Sequence, residues 1–129
     1  MDGLIVLAED EDDAGSLVKQ KLEGAGLRVI WKKNGLEAWE TIQAERPAMA
    51  ILDADMPGLS GYDVLARIKS TPATQDTVVV MLTALGHEAY VGDAMRHGAS
   101  DYIVKPFRPA DLLERIQRLL NARAPRAAS

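Results

Sequence analysis

Apolar positions along the chain fall into two alternating patterns. Short uninterrupted runs occur at Leu4–Ala8, Arg28–Trp31, Ala48–Leu52, Thr77–Leu82 and Tyr102–Val104. They are aliphatic or β-branched and too short for helices, which suits strands buried on both faces of a parallel sheet. Longer stretches with helical spacing lie between them. Ala14, Val18, Leu22 and Ala25 recur at i, i+4, i+8 and i+11. Leu36, Trp39 and Ile42 recur at i, i+3 and i+6, as do Tyr62, Leu65 and Ile68. Leu112, Leu113, Ile116, Leu119 and Leu120 form the strongest stripe, and Glu88–His97 the weakest. The pattern predicts five βα repeats, hence an α/β sandwich around a parallel sheet with right-handed crossovers.

Punctuation agrees with these elements. Gly26 and Gly98 stand where a helix should end, Pro47 precedes the third strand and Pro72 follows the third helix. With 129 residues the chain fits a single domain. Its 47% apolar and 26% charged residues describe an ordinary globular protein rather than a disordered one. The end of the chain, from Asn121, is rich in Ala, Arg, Pro and Ser, so 1–121 reads as the domain and 122–129 as a flexible tail or the start of a linker. A net charge of −4 argues against this chain gripping a nucleic-acid backbone by itself. No cysteine is present, so disulfides and thiolate metal sites are excluded. No apolar run approaches a membrane span and no secretory signal is evident, so the expected location is the cytoplasm.

Ligands of open α/β sheets bind beyond the carboxyl ends of the strands. The first strand is followed by Glu9, Asp10, Glu11, Asp12 and Asp13, and the third by Asp53 and Asp55. The fourth runs into Thr83-Ala84 and the fifth into Lys105-Pro106. Glu11, Asp12 and Asp13 read as a solvated start to the next helix, where Asp is a good N-cap. Glu9 and Asp10 directly extend a buried strand. If the first and third strands are neighbours, Asp10 and Asp53 nearly touch, and two carboxylates at ~4 Å repel by roughly 4 kcal/mol at an effective dielectric of 20. Either one is protonated or a cation lies between them. Oxygen ligands without His or Cys point to Mg²⁺, Mn²⁺ or Ca²⁺. A carboxylate beside such an ion can also attack phosphorus to form an acyl phosphate, given a second cation and a hydrogen-bond donor. Lys105 and Thr83 are the right types at the right strand ends. No GxxxxGK[ST], GxGxxG or GxSxG motif offers another chemistry. His87 and His97 read as solvent-exposed, and Trp31 and Trp39 as packing residues.

Four motifs in order carry a resemblance to the receiver domain of two-component response regulators. They are Ile5-Val6-Leu7-Ala8-Glu9-Asp10-Glu11, Ile51-Leu52-Asp53-Ala54-Asp55-Met56-Pro57-Gly58-Leu59-Ser60-Gly61, Met81-Leu82-Thr83-Ala84 and Gly98-Ala99-Ser100-Asp101-Tyr102-Ile103-Val104-Lys105-Pro106-Phe107. The resemblance covers Leu4 to about Leu120. It implies a flavodoxin-like (βα)5 three-layer sandwich with strand order 2-1-3-4-5. It implies Asp53 as the phosphoacceptor, Asp10 as a direct Mg²⁺ ligand (Mn²⁺ being the alternative ion), and Glu9 as its partner acting through water. It further implies the Asp55 backbone carbonyl as a metal ligand, Lys105 as the cation that meets the phosphoryl group, and Thr83 and Tyr102 as the switch pair. A cis peptide before Pro106 is implied as well. Glu9 stands where the family more often has Asp, and Asp55 and Leu85 occupy positions that tune phosphoryl lifetime in the family.

The implied activity is a signalling switch that promotes only its own phosphorylation and dephosphorylation. The implied partners are a histidine kinase or histidine phosphotransfer protein and an output domain or effector. Leu112-Leu113-Glu114-Arg115-Ile116 resembles the fifth helix of receivers that dimerise before binding DNA, which implies a phosphorylation-dependent homodimer, although Asp93 lies near where such dimers often carry a basic residue. Two rival readings remain. Asp53-Ala54-Asp55 superficially fits the DxD of haloacid-dehalogenase-like phosphatases, but that motif normally opens the chain and no cap domain fits in 129 residues. The other is a pseudo-receiver that binds partners without taking phosphate.

Overall fold

The computed structural model describes residues 3–84, 86–87 and 91–123. Five strands alternate with five helices: β1 (Leu4–Ala8), α1 (Asp12–Gly24), β2 (Arg28–Lys32), α2 (Gly35–Glu45), β3 (Met49–Asp53), α3 (Gly61–Ser70), β4 (Val78–Ala84), α4 (Val91–Arg96), β5 (Asp101–Lys105) and α5 (Pro109–Arg123). The strands are all parallel, in the order β2-β1-β3-β4-β5. This is the flavodoxin-like (βα)5 sandwich.

Alternate side chains of the strands build two cores. Ile5, Leu7, Met49, Ile51, Val80 and Leu82 pack on one face with Val18 and Leu22 of α1 and Leu112 and Ile116 of α5. Val6, Ala8, Ala50, Leu52, Val79 and Met81 pack on the other with Trp39 and Ile42 of α2 and Val64, Leu65 and Ile68 of α3. At roughly 25 cal/mol per Å² of apolar surface, these two layers are the main stabilising force.

Burial corrects the sequence pattern in three places. β1 and β3 are buried throughout, but β2 and β5 are partly exposed because the strand order leaves them at the edges. Leu36 belongs to the spacing of α2 yet is 54% exposed, while Ala38 supplies the buried position instead. Ala25 is an exposed cap after α1 rather than a core residue. α4 is described from Val91, and 88–90, Leu85 and 124–129 lie outside the described residues. α5 continues to Arg123, past the expected boundary at 121. No helix among the described residues is long and apolar enough to cross a membrane.

Candidate functional site

β3 lies between β1 and β4, so the residues that follow these strands converge at one end of the sheet. Asp53 is the last residue of β3 and is 5% exposed. One carboxylate oxygen each from Glu9, Asp10 and Asp53 lie within 4.8 Å of one another. Glu9 is wholly buried, whereas Asp10 is exposed to the cleft mouth. The Asp55 N–H donates to Asp53 Oδ1 at 3.2 Å. A cleft of about 560 Å³ opens above these groups, lined in part by Asp10, Asp53, Asp55, Ala84, Lys105 and Phe107.

Lys105 ends β5 and reaches back across the cleft. Its Nζ is 2.8 Å from Glu9 Oε1, 3.2 Å from Glu11 Oε1 and 3.4 Å from Asp53 Oδ2. The Glu9 contact is an ion pair whose angles fall outside those of a good hydrogen bond. Burial opposes the charge on Lys105, but Glu9, Asp53 and Glu11 outweigh it and raise its pKa above the usual lysine value. Asp53 is pushed up to about 7, first by burial and then by hydrogen bonding and repulsion from Glu9; Lys105 and the Asp55 N–H offset this only partly. Burial and Glu9 thus favour the protonated form of Asp53, and a cation in the cleft would oppose that shift. Three carboxylates, hard oxygen donors on a single turn and strand end, fit a divalent ion such as Mg²⁺.

Thr83 pairs with Val104, and Ala84 with Lys105, across β4 and β5. Thr83 is 1% exposed and its Oγ1 has no hydrogen-bond partner. Tyr102 is half-buried against the core that contains Met81. The Lys105–Pro106 peptide is cis. His87 is exposed, with Nδ1 3.4 Å from Asp55 Oδ2. His97 is also exposed, and Asp93 pairs with Arg96.

The sequence reading missed several contributors. Glu11 is not merely solvated: it pairs with Lys105, and Asp12 pairs with Lys33. Glu11 rather than an Asp occupies the N-cap of α1, and its side chain makes no cap bond. Its backbone N–H instead donates to Glu9 Oε2 at 3.1 Å. Gly61 lets α3 begin directly against Asp53, since a Cβ there would lie 2.2 Å from the Asp53 carbonyl oxygen. The Ser60–Asp63 capping box that starts α3 carried a readable signal. The Glu11–Lys105 pair carried none, being 94 residues apart.

This arrangement defines a class, an acidic cleft at the carboxyl edge of a five-stranded parallel sheet. The sequence model of the response regulator receiver domain matches residues 5–117, and the chain belongs to that family. It is 34% identical over 125 residues to the phosphate regulon transcriptional regulatory protein PhoB of Rhizobium meliloti, covering 97% of this chain and 55% of that protein. It is 36% identical over 123 residues to the response regulator RppA of Synechocystis, covering 94% and 51%. The chain spans about half the length of the curated relatives it matches. Among solved structures, a response regulator from Chloroflexus aurantiacus aligns with a TM-score of 0.88 at 30% identity, over 94% of this chain and 99% of that one. The receiver domain of a sensor histidine kinase from Pseudomonas aeruginosa aligns with a TM-score of 0.84 at 25% identity, over 94% and 99%. That protein was solved with a magnesium ion coordinated in its active-site cleft. Receiver domains of response regulators are signalling switches rather than ordinary enzymes.

Proposed function

We propose that this chain is a cytoplasmic, phosphorylation-activated switch whose phosphoacceptor is Asp53. The observation that carries this reading is the buried Asp53 carboxylate, set at the floor of the cleft between Lys105 and the Glu9–Asp10 turn. An Asp53 oxygen attacks the phosphorus of a phosphohistidine on a histidine kinase or phosphotransfer protein. The N–P bond breaks, the imidazole nitrogen keeps the electron pair and takes a proton, and an acyl phosphate forms on Asp53. A divalent cation held by Asp10, Asp53 and the Asp55 carbonyl, with Glu9 behind them, would neutralise charge on the phosphoryl oxygens. Lys105 is placed to move from its carboxylates to the phosphoryl group.

The added phosphoryl brings about −1.5 to −2 charges to the cleft. Thr83 holds a hydroxyl proton with no acceptor, so a new anion in the cleft offers it a partner. Movement of Thr83 vacates space beside β5 into which Tyr102 turns. The face of α4, β5 and α5 then shifts between two populations, and an output domain, an effector or a second copy of the chain reads the difference.

Intact mass after incubation with acetyl phosphate and Mg²⁺ tests the reading. The expected result is one added phosphoryl group, absent with EDTA and absent in Asp53→Asn. Where turnover hides the adduct, Mg²⁺-dependent binding of beryllofluoride takes its place. Failure of both would leave a phosphorylation-independent interaction module.

A further inference from the structure

The surroundings of Trp31 are unusual for a packing residue. Its indole Nε1–H donates to the Glu9 carbonyl oxygen at 2.9 Å. The next residue of β2, Lys32, accepts the Glu9 N–H at 3.0 Å. The end of β2 therefore holds both backbone groups of Glu9. The Glu9 side chain is held as well, by the Glu11 N–H on Oε2 and by Lys105 beside Oε1. Asp10 follows this pinned peptide directly.

The indole has room only because α1 carries Gly15 beneath it. A Cβ at Gly15 would lie 2.0 Å from the indole Cζ2. Lys33 Nζ lies 5.7 Å from the ring centroid, and Lys33 also pairs with Asp12 at the start of α1. Ring, small residue and flanking cation together fix where the N–H points.

We infer that Trp31 is a positioning residue for the cation site, its indole N–H setting the Glu9–Asp10 turn in the geometry that metal binding needs. The inference rests on the reading that this turn binds a divalent cation. Pre-setting the turn removes an ordering cost that binding would otherwise carry.

Calorimetric titration of the EDTA-treated full chain with MgCl₂ tests it. Trp31→Phe keeps a ring over Gly15 and deletes the donor, and Mg²⁺ should then bind about five-fold more weakly. Ile42→Val destabilises the opposite core without touching the turn, and its Mg²⁺ affinity should equal that of the wild type. The chain has two tryptophans, so ¹⁵N-labelled protein gives two indole signals. The Trp31 signal, recognised by its survival in Trp39→Phe, should shift through the Mg²⁺ titration with the calorimetric midpoint. A wild type that binds no Mg²⁺ overturns the cation site itself. A wild type and a Trp31→Phe of equal affinity overturn the positioning role alone, as does equal weakening in Ile42→Val. If Trp31→Phe does not fold, an indole signal that stays fixed while Mg²⁺ binds overturns it.

Discussion

The two sides of the cleft are built on opposite principles. On the side of β1, β2 and α1, Glu9 has its N–H, its carbonyl and both carboxylate oxygens within reach of partners, and it is fully buried. On the side of β4 and β5, Thr83 buries a hydroxyl without a partner and Tyr102 is only half-buried on an edge strand. The first side is tied down by the bonds around Glu9, whose Oε1 meets Lys105 as an ion pair only. The second carries an unmet hydrogen bond that a new anion could satisfy, which is what a movable element requires. A switch needs both: a fixed frame to receive the ligand and a poised element to respond.

Asp53 stands at the junction of the two sides, and its proton gives the largest expected effect. The native state holds that proton up to about pH 7, while an unfolded Asp releases it near 3.8. The native chain therefore binds more protons between those values, so this contribution is complete below about pH 4 and is lost as pH rises through 7. The change is on the order of 4 kcal/mol. Urea midpoints of the EDTA-treated chain across this range, compared with Asp53→Asn, should diverge with that sign; parallel curves would refute it.

Lys105→Met should come next. It leaves the buried Glu9 without its cation and should lower the stability of the metal-free chain at pH 8 by about 3 kcal/mol. Saturating Mg²⁺ should recover part of the loss. Thr83→Val should act in the opposite direction. It removes an unpartnered buried hydroxyl and should raise stability by about 1 kcal/mol, while uncoupling Tyr102 from phosphorylation. A destabilised Thr83→Val would erase the contrast between the two sides. Glu11→Gln should do least to stability, under about 0.5 kcal/mol by chemical denaturation, because its carboxylate is 66% exposed.

Much of this was legible beforehand. The alternation of short apolar runs with helical stripes marked each strand within one or two residues, because periodicity is a local property. The strand-end positions of Glu9, Asp10, Asp53, Thr83 and Lys105 were equally visible, since parallel topology sends every strand's carboxyl end to one edge. What stayed hidden were the relations that cross the fold. Leu36 has the right spacing but faces solvent, because its exposure depends on what lies opposite α2. Trp31 looked like packing because its acceptor is 22 residues away, just past the end of a neighbouring strand. Glu11 looked solvated because Lys105 is brought to it only when β5 takes its place at the edge of the sheet.

The amino-acid sequence by itself determined the order and kind of the elements and the end of the sheet where the chemistry lies. These follow from side-chain spacing and chain direction. Tertiary structure alone decided which carboxylates share one ammonium, which hydroxyl is left without a partner and which indole holds the acidic turn. Those depend on strand order and register, which bring distant residues within hydrogen-bond reach and which no local pattern encodes.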